Sequence, residues 1–313
     1  MDKDFTTIER QIEILKERDL QFVSEEMAFK TLQRFGYYSI INGYKDPYIC
    51  TDDDDDKEKY VEGVTFEQIY SLYRFDKNIR NELLAAMLDI EETLRAAVAH
   101  TISEAFGADQ NLYLKKENYR PGKKKADSFQ IDEILNKFSK VMNDNVQPIK
   151  HYREVYHNIP PWILLKGASF GNLVNFVRLQ KGPQKNKIIS IMYDVPVEFV
   201  EASPELKNLF MDTLFVCVDY RNRAAHGGRI YNFMPKSKFR YSHILHKQMK
   251  ISEADYRHGQ GVTGLMPLIH ATQLFDNKDA YYKLIASAEY FLSQHCKLYP
   301  DDRAYLENYL HII

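Results

Sequence analysis

The sequence predicts an all-α protein. Apolar side chains recur at steps of three and four through most of the chain, which is the period of a helix that buries one face. Helix-capping residues precede several of these stretches, namely Thr6, Ser24 and Thr65. The longest stretch, between Thr65 and Gly107, contains neither glycine nor proline. Helices therefore account for the regular structure that the sequence predicts.

The first part of the chain, residues 1–60, predicts short helices packed on a larger body. Ser24 is expected to cap a helix that Gly36 ends. Residues 37–48 are rich in tyrosine and are interrupted by glycine and proline. They predict a compact loop with at most short strand character. The aspartate run 52–56 predicts a solvated loop, and we assign it no function.

Residues 61–235 are expected to form the helical core, with 236–313 as a C-terminal helical extension. The stretch that starts at Thr65 is unusually long for a globular helix. We therefore expect it to break between Arg74 and Asn78. Trp162, the only tryptophan, is expected to anchor the core rather than to contact a ligand.

The segment from Asp219 to Arg229 closes another apolar helical run and contains the main candidate site. Gly227 can adopt the left-handed conformation that ends helices. Arg221, Asn222 and His226 then lie on the last turn and a half, where a buried helix meets solvent.

These residue types suit metal-independent cleavage of RNA. The imidazole of His226, with an ordinary pKa of about 6.5, can take the proton of a 2′-hydroxyl. The guanidinium of Arg221 can stabilise the charge of the phosphorane, and Asn222 can orient the phosphate or the imidazole. On an ideal helix Arg221 and His226 are about 140° apart, so the helix must fray or tighten at His226 to bring them together. Spacing alone favours the structural alternative, in which Arg221 caps the helix and His226 packs.

Five sequence blocks occur in the order found in one known family. They are Tyr37–Tyr44, Thr65–Asp76, Ile90–Arg95, Pro161–Gly171 and Arg221–Asn232. These blocks resemble the abortive-infection (Abi) proteins of bacteria, in particular the AbiD/AbiF-like members, which form a branch of the HEPN superfamily of RNases and RNA-binding domains. The resemblance reverses the preference drawn from spacing.

The resemblance implies a HEPN-like helical bundle with additional N- and C-terminal helices. It also implies a toxin-like endoribonuclease of phage defence, which leaves 2′,3′-cyclic phosphate ends and is restrained by an antitoxin such as a small structured RNA. Two copies would pair so that their motifs face each other, with Arg221, Asn222 and His226 as catalytic residues. The alternative is a non-catalytic RNA-binding module that scaffolds a ribonucleoprotein, and a third option is a structural or interaction protein.

Further residues are candidates for RNA contact or for support of the site. The segment 115–125, named the basic loop here, has one acid and six cations, which are Lys115, Lys116, Arg120, Lys123, Lys124 and Lys125. Phosphate contact and plain surface exposure explain this loop equally well. Residues near the motif that could flank a phosphate are Arg229, Tyr231 and Asn232. Glu91 or Glu92 could pair with Arg95 on one helix face and support the site from behind.

Composition limits the other options. The net charge is −2 and the pI is about 6.6, so any RNA-binding surface must be a local patch. The three cysteines are widely spaced and predict reduced thiols rather than a zinc site. We expect no metal, no cofactor and no membrane span, and therefore a cytoplasmic protein.

Overall fold

The computed structural model describes residues 5–50, 58–125 and 128–310, and it confirms the predicted all-α class. The aspartate run 52–56 lies outside the described residues. The helices are α1 (Ile8–Glu17), α2 (Glu25–Phe35), α3 (Phe66–Phe106), α4 (Gln110–Tyr113), α5 (Gln130–Met142), α6 (Ile149–His151), α7 (Pro161–Leu164), α8 (Phe170–Arg178), α9 (Gly182–Tyr193), α10 (Val197–Ala202), α11 (Pro204–Ala225), α12 (His243–His246), α13 (Glu253–Arg257), α14 (Leu265–Thr272), α15 (Asp279–Leu298) and α16 (Asp302–Leu310). Four short strands form two antiparallel pairs. β1 (Ile49–Cys50) pairs with β2 (Lys59–Tyr60), and β3 (Lys124–Lys125) pairs with β4 (Ser128–Phe129).

Side-chain caps begin several of these helices. Ser24, Thr65 and Ser203 each accept a hydrogen bond, 3.1 to 3.2 Å long, from the backbone N–H three residues later. At α1 the cap is Thr7 rather than the predicted Thr6, and its hydroxyl accepts from the N–H of Arg10 at 3.3 Å. Each cap satisfies an N–H that has no partner inside the helix.

Residues 37–48 form helical turns, so the expectation of a loop with strand character is wrong. A π-helical turn covers Tyr38–Asn42, and a 3₁₀ turn covers Asp46–Tyr48. The buried side chains Ile40, Tyr44 and Tyr48 follow one another at steps of four. This spacing places them on one side of a helical path, so burying them favours helical turns over a strand.

The chain divides into two compact units. The first unit comprises Met1–Asn81, Arg229–Asn232 and Ala286–Ile313, and the second comprises Glu82–Gly228 and Phe233–Ile285. The organisation into segments 1–60, 61–235 and 236–313 stays a prediction.

Helix α3 runs without interruption for 41 residues, so the expected break between Arg74 and Asn78 is wrong. Asp76, in the middle of that segment, is fully buried in the first unit. Its carboxylate accepts hydrogen bonds from the hydroxyl of Tyr44 at 2.7 Å and from the backbone N–H groups of Ile230 and Tyr231 at 2.8 Å each. Burial raises the pKa of Asp76, while these three donors favour its charged form. Donors distant in sequence thus allow a polar residue inside a buried, continuous helix.

In the second unit, α11 packs against α8, α9, α10, α12 and α14. The face predicted to be apolar is buried, as shown by Leu206, Phe210, Thr213, Cys217 and Tyr220. The last turn of α11 emerges from this core. It carries Arg221 and Asn222 and leads to His226, and these three residues form the Arg-Asn-x-x-x-His motif. In the described ranges, none of the helices has the length and hydropathy of a membrane span.

Candidate active site

Helix α11 ends where the motif predicts. Its last residue is Ala225, and His226 follows as the C-cap, with its backbone N–H hydrogen-bonded to the carbonyl of Asn222 at 3.1 Å. Gly227 has a φ of +70°, the left-handed conformation that a residue with a side chain rarely adopts. The glycine therefore turns the chain away at once and leaves His226 at the end of the helix.

Glu91 of α3 lies between two arginines and is itself buried, with 6% of its surface exposed. Its Oε1 accepts a hydrogen bond from Nη2 of Arg95 at 2.6 Å. Its Oε2 lies 3.8 Å from Nε of Arg221. Within the described part of the chain, neither that Oε2 nor that Nε has a hydrogen-bond partner. The contact between Glu91 and Arg221 is therefore ionic, and it places Nε of Arg221 against α3.

Arg95 connects the same carboxylate to the turn that follows α7. Its Nε donates to the carbonyl of Leu165 at 2.7 Å, and its Nη2 donates to the carbonyl of Ala168 at 3.4 Å. The structure thus joins Glu91, Arg95 and Arg221 in one network. Glu92, the neighbouring candidate, is exposed and forms no ion pair with the residues that the structure describes.

The other two motif residues face solvent. Asn222 and His226 are exposed, and their side chains form no hydrogen bond to any described residue. The side chain of Arg221 is 33% exposed. No hydrogen bond joins Arg221 to His226 among the described residues, since helical backbone bonding persists up to His226 and keeps them about 140° apart. A single chain therefore presents the two groups separately.

A comparison with protein families matches residues 30–232 to the family described as Abi-like protein. The chain belongs to the Abi-like protein family. The matched region covers more than half of the chain and includes α3, α7 and α11. Membership in this family connects the chain with abortive infection, a form of phage defence. Comparisons with curated proteins and with solved structures gave no match.

In this Abi-like protein, the candidate residues after the motif belong to the first unit. Arg229 donates from Nη1 to the carbonyl of Gly43 at 2.6 Å and to Asp46 at 3.0 Å. Tyr231 is only 1% exposed, so packing occupies its ring, and Asn232 is partly exposed. Contact of Arg229, Tyr231 and Asn232 with RNA stays a prediction.

The basic loop of the Abi-like chain displays its cations on the surface. The exposed members are Lys115, Lys116, Arg120, Lys123 and Lys124, whereas the side chain of Lys125 lies outside the described residues. Lys116 forms an ion pair with Asp132 at 2.7 Å. The rings of the nearby Tyr113 and Tyr119 are buried, and their hydroxyls donate to backbone carbonyls. The basic loop therefore presents positive charge at the surface, whereas these two rings are not accessible for stacking.

A further cation, absent from the candidates that the sequence suggests, lies close to the basic loop. Burial and the nearby charges of Arg120 and Arg178 lower the pKa of Lys185 to about 8. Burial is the larger cause, and the like charges of the two arginines add to it. The signal in the sequence is the short run of lysines from Lys181 to Lys187, which does not by itself indicate a site.

Trp162 is 46% exposed, so the expectation that it anchors the core is wrong. Residues 162–165 are four consecutive apolar residues, and at about 100° per residue they point to all sides of a helical turn. Ile163, Leu164 and Leu165 are buried, which leaves Trp162 facing outward. It lines an open cleft of about 630 Å³ together with Glu91. Four consecutive apolar residues on one helical turn indicate that one of them is exposed, but they do not indicate which one.

Proposed function

We propose that this Abi-like protein is a metal-independent endoribonuclease of the HEPN type that acts in abortive infection. The observation that supports this most strongly is the ionic contact between Glu91 and Arg221. It holds a guanidinium at the end of a buried helix, one and a half turns from an exposed imidazole. Together with Asn222, these groups provide the base and the cation that phosphodiester cleavage by a 2′-hydroxyl requires.

In the proposed reaction His226 takes the proton of the 2′-hydroxyl as that oxygen attacks the neighbouring phosphorus. The bond from phosphorus to the 5′-oxygen breaks, and an imidazolium gives that oxygen a proton. The products are a 2′,3′-cyclic phosphate and a 5′-hydroxyl. Arg221 stabilises the negative charge of the phosphorane, and Asn222 orients the phosphate. Glu91 and Arg95 are positioning residues, because they contact the guanidinium or its partner rather than the reacting atoms.

We further propose that two copies assemble into the active form. One chain presents Arg221 and His226 separately, so a second copy that faces the motif can place its own imidazole beside the guanidinium. Such a homodimer has two equivalent clefts by symmetry. In the same proposal an antitoxin, such as a small structured RNA, restrains the nuclease, and the exposed basic loop supplies cations for its phosphates.

The test is cleavage of RNA by the full-length protein in the presence of EDTA, with analysis of the fragment ends. We expect cyclic phosphate ends, and a loss of rate of about 10²- to 10⁴-fold in His226→Ala, the usual contribution of a general base. His100→Ala is the matched control, because His100 is also exposed and also follows an arginine by five positions. Equal cleavage by wild type and His226→Ala would contradict the proposal.

The second candidate is an RNA-binding module without catalysis. The missing hydrogen bond between Arg221 and His226 within the described part of one chain favours it, as does the exposed basic loop. Binding of RNA without cleavage, in the wild type and in His226→Ala alike, would identify this function.

A further inference from the structure

The cleft beside the Glu91 network carries an aromatic surface that the proposed chemistry does not use. Trp162 presents nearly half of its surface there. No ring of the described residues stacks on it, and none of their cations covers it. Burying an indole normally stabilises a fold, so an indole left uncovered at a cleft is a candidate for ligand contact.

The segment that carries Trp162 is held firmly. Pro160 and Pro161 precede it, and its neighbours Leu164 and Leu165 are at most 2% exposed. Arg95 binds the carbonyl of Leu165 from the side of α3. Little ordering is therefore needed when a ligand meets the ring, which favours binding.

The cleft also adjoins the candidate active site through one residue. Glu91 lines the cleft, and its carboxylate contacts both Arg95 and Arg221. A ligand on Trp162 therefore lies against the network that holds the guanidinium. The chemistry at Arg221 and the surface at Trp162 can then act on the same molecule.

The remaining walls define the chemistry of the ligand. The volume, about 630 Å³, lies in the usual range of about 300 to 1,000 Å³ for small-ligand pockets. Leu88 and two alanines of α3 add apolar surface to the lining of the cleft. Lys166 is exposed and has no partner among the described residues, so it is available to a phosphate. Glu92 lines the same cleft with a negative charge, which repels a phosphate.

We infer that Trp162 is the stacking platform for an unpaired nucleobase of the RNA that is cleaved at Arg221 and His226. This inference rests on the proposed function, since it assigns the base that accompanies the cleaved phosphodiester. Every nucleobase has a flat apolar face that stacks on an aromatic ring, and bases become available for stacking in single-stranded RNA. The substrate class is therefore single-stranded RNA or a loop with unpaired bases.

The experiment uses the fluorescence of Trp162, which is the only tryptophan of the chain. The full-length protein is titrated with a single-stranded 2′-O-methyl oligoribonucleotide, in which the attacking hydroxyl is blocked. We expect quenching by this oligonucleotide and weaker quenching by a counterpart whose bases have been removed. Equal quenching by both would overturn the inference, because the contact would then not involve a base.

Variants give the second measurement, in which binding is followed by a label on the RNA. Trp162→Ala should weaken binding by about 5- to 150-fold, the range for loss of one base–aromatic stack, while Trp162→Phe should retain most of the affinity. Phe199→Ala is the matched control, since Phe199 of α10 is 56% exposed and lies in the same unit. Lys166→Ala should weaken binding and Glu92→Gln should strengthen it. Unchanged RNA affinity of Trp162→Ala would overturn the inference. A change in the oligomeric state of this variant would also overturn it, because Trp162 would then belong to a protein interface.

The two proposals fail in different ways. If His226→Ala still cleaves RNA, the nuclease assignment fails, whatever the fluorescence shows. If cleavage depends on His226 but Trp162→Ala binds RNA like the wild type, the stacking platform fails and the nuclease stands. Trp162→Phe keeps this distinction measurable even if Trp162→Ala does not fold.

Discussion

Replacing Glu91 with glutamine removes the negative charge that lies between two guanidinium groups. The hydrogen bond from Arg95, at 2.6 Å, keeps its charged donor but loses its charged acceptor, which costs about 1 to 2 kcal/mol. The contact with Arg221, at 3.8 Å, adds about 0.5 to 1 kcal/mol, because that guanidinium is one-third exposed and partly screened. Glu91→Gln should therefore lower the free energy of unfolding by about 1.5 to 3 kcal/mol.

Denaturant unfolding measures this change, and Glu92→Gln is the matched control. Glu92 is the adjacent exposed glutamate and has no ion pair in the described part of the chain, so its substitution should change stability by about 0.5 kcal/mol at most. In an Arg221→Ala background the effect of Glu91→Gln should shrink by about 0.5 to 1 kcal/mol. Equal stability of the two glutamine variants would refute the reasoning, since the carboxylate of Glu91 would then contribute nothing.

Three further predictions concern the surroundings of the site. The free energy of unfolding of the wild type, compared with that of Lys185→Met, should rise as the pH increases from about 8 to 10.5. In this range Lys185 keeps its proton in the unfolded chain and loses it in the folded one, so raising the pH favours the folded state. Denaturant unfolding across this pH range measures the difference. Gly227→Ala should destabilise by about 1 to 2 kcal/mol, because a side chain strains a residue at φ +70°; thermal unfolding measures this. Replacing Lys115, Lys123 and Lys124 with alanine should make the affinity for single-stranded RNA less dependent on salt. In a plot of log affinity against log salt concentration, the negative slope should become shallower by about 0.7 for each phosphate that these lysines neutralise.

Each of these predictions has a control. Lys187→Met is a lysine variant on the same helix as Lys185 and should leave the pH dependence unchanged. Gly182→Ala lies where a Cβ meets no atom within 4 Å, at a φ that is not left-handed, so it should not carry the penalty expected for Gly227. Alanine at Lys236 and Lys238, which are exposed outside the basic loop, should not alter the salt dependence. An equal effect of test and control variants would contradict the corresponding prediction.

Local signals in the sequence were sufficient for several of the helix ends. The caps at Ser24 and Thr65 and the stop at Gly227 depend on residues within one turn, and the structure has them where they were expected. The buried face of α11 followed in the same way from its period. For the candidate site, the sequence located the motif and suggested that a glutamate supports Arg95. It did not show that Glu91 is that glutamate and that it also reaches Arg221.

The errors arose where residues distant in sequence decide the outcome. The helix continues where a break was expected, and there donors from Tyr44 and from the backbone of residues 230 and 231 satisfy the buried carboxylate of Asp76. The exposure of Trp162 depends on which side of a one-turn helix meets the core. Because its neighbours are also apolar, the sequence does not distinguish that side. No local pattern contains either fact.

The forked side chain of Arg95 has a consequence for how this protein can vary. One guanidinium holds the carbonyl of Leu165 with Nε and the carboxylate of Glu91 with Nη2, and a lysine could not hold both in this planar geometry. Changes at position 95 should therefore alter the orientation of Trp162 and that of Arg221 at the same time. In the proposed nuclease, RNA preference and turnover would then drift together in natural variants, because selection on one property acts on the other through a single side chain.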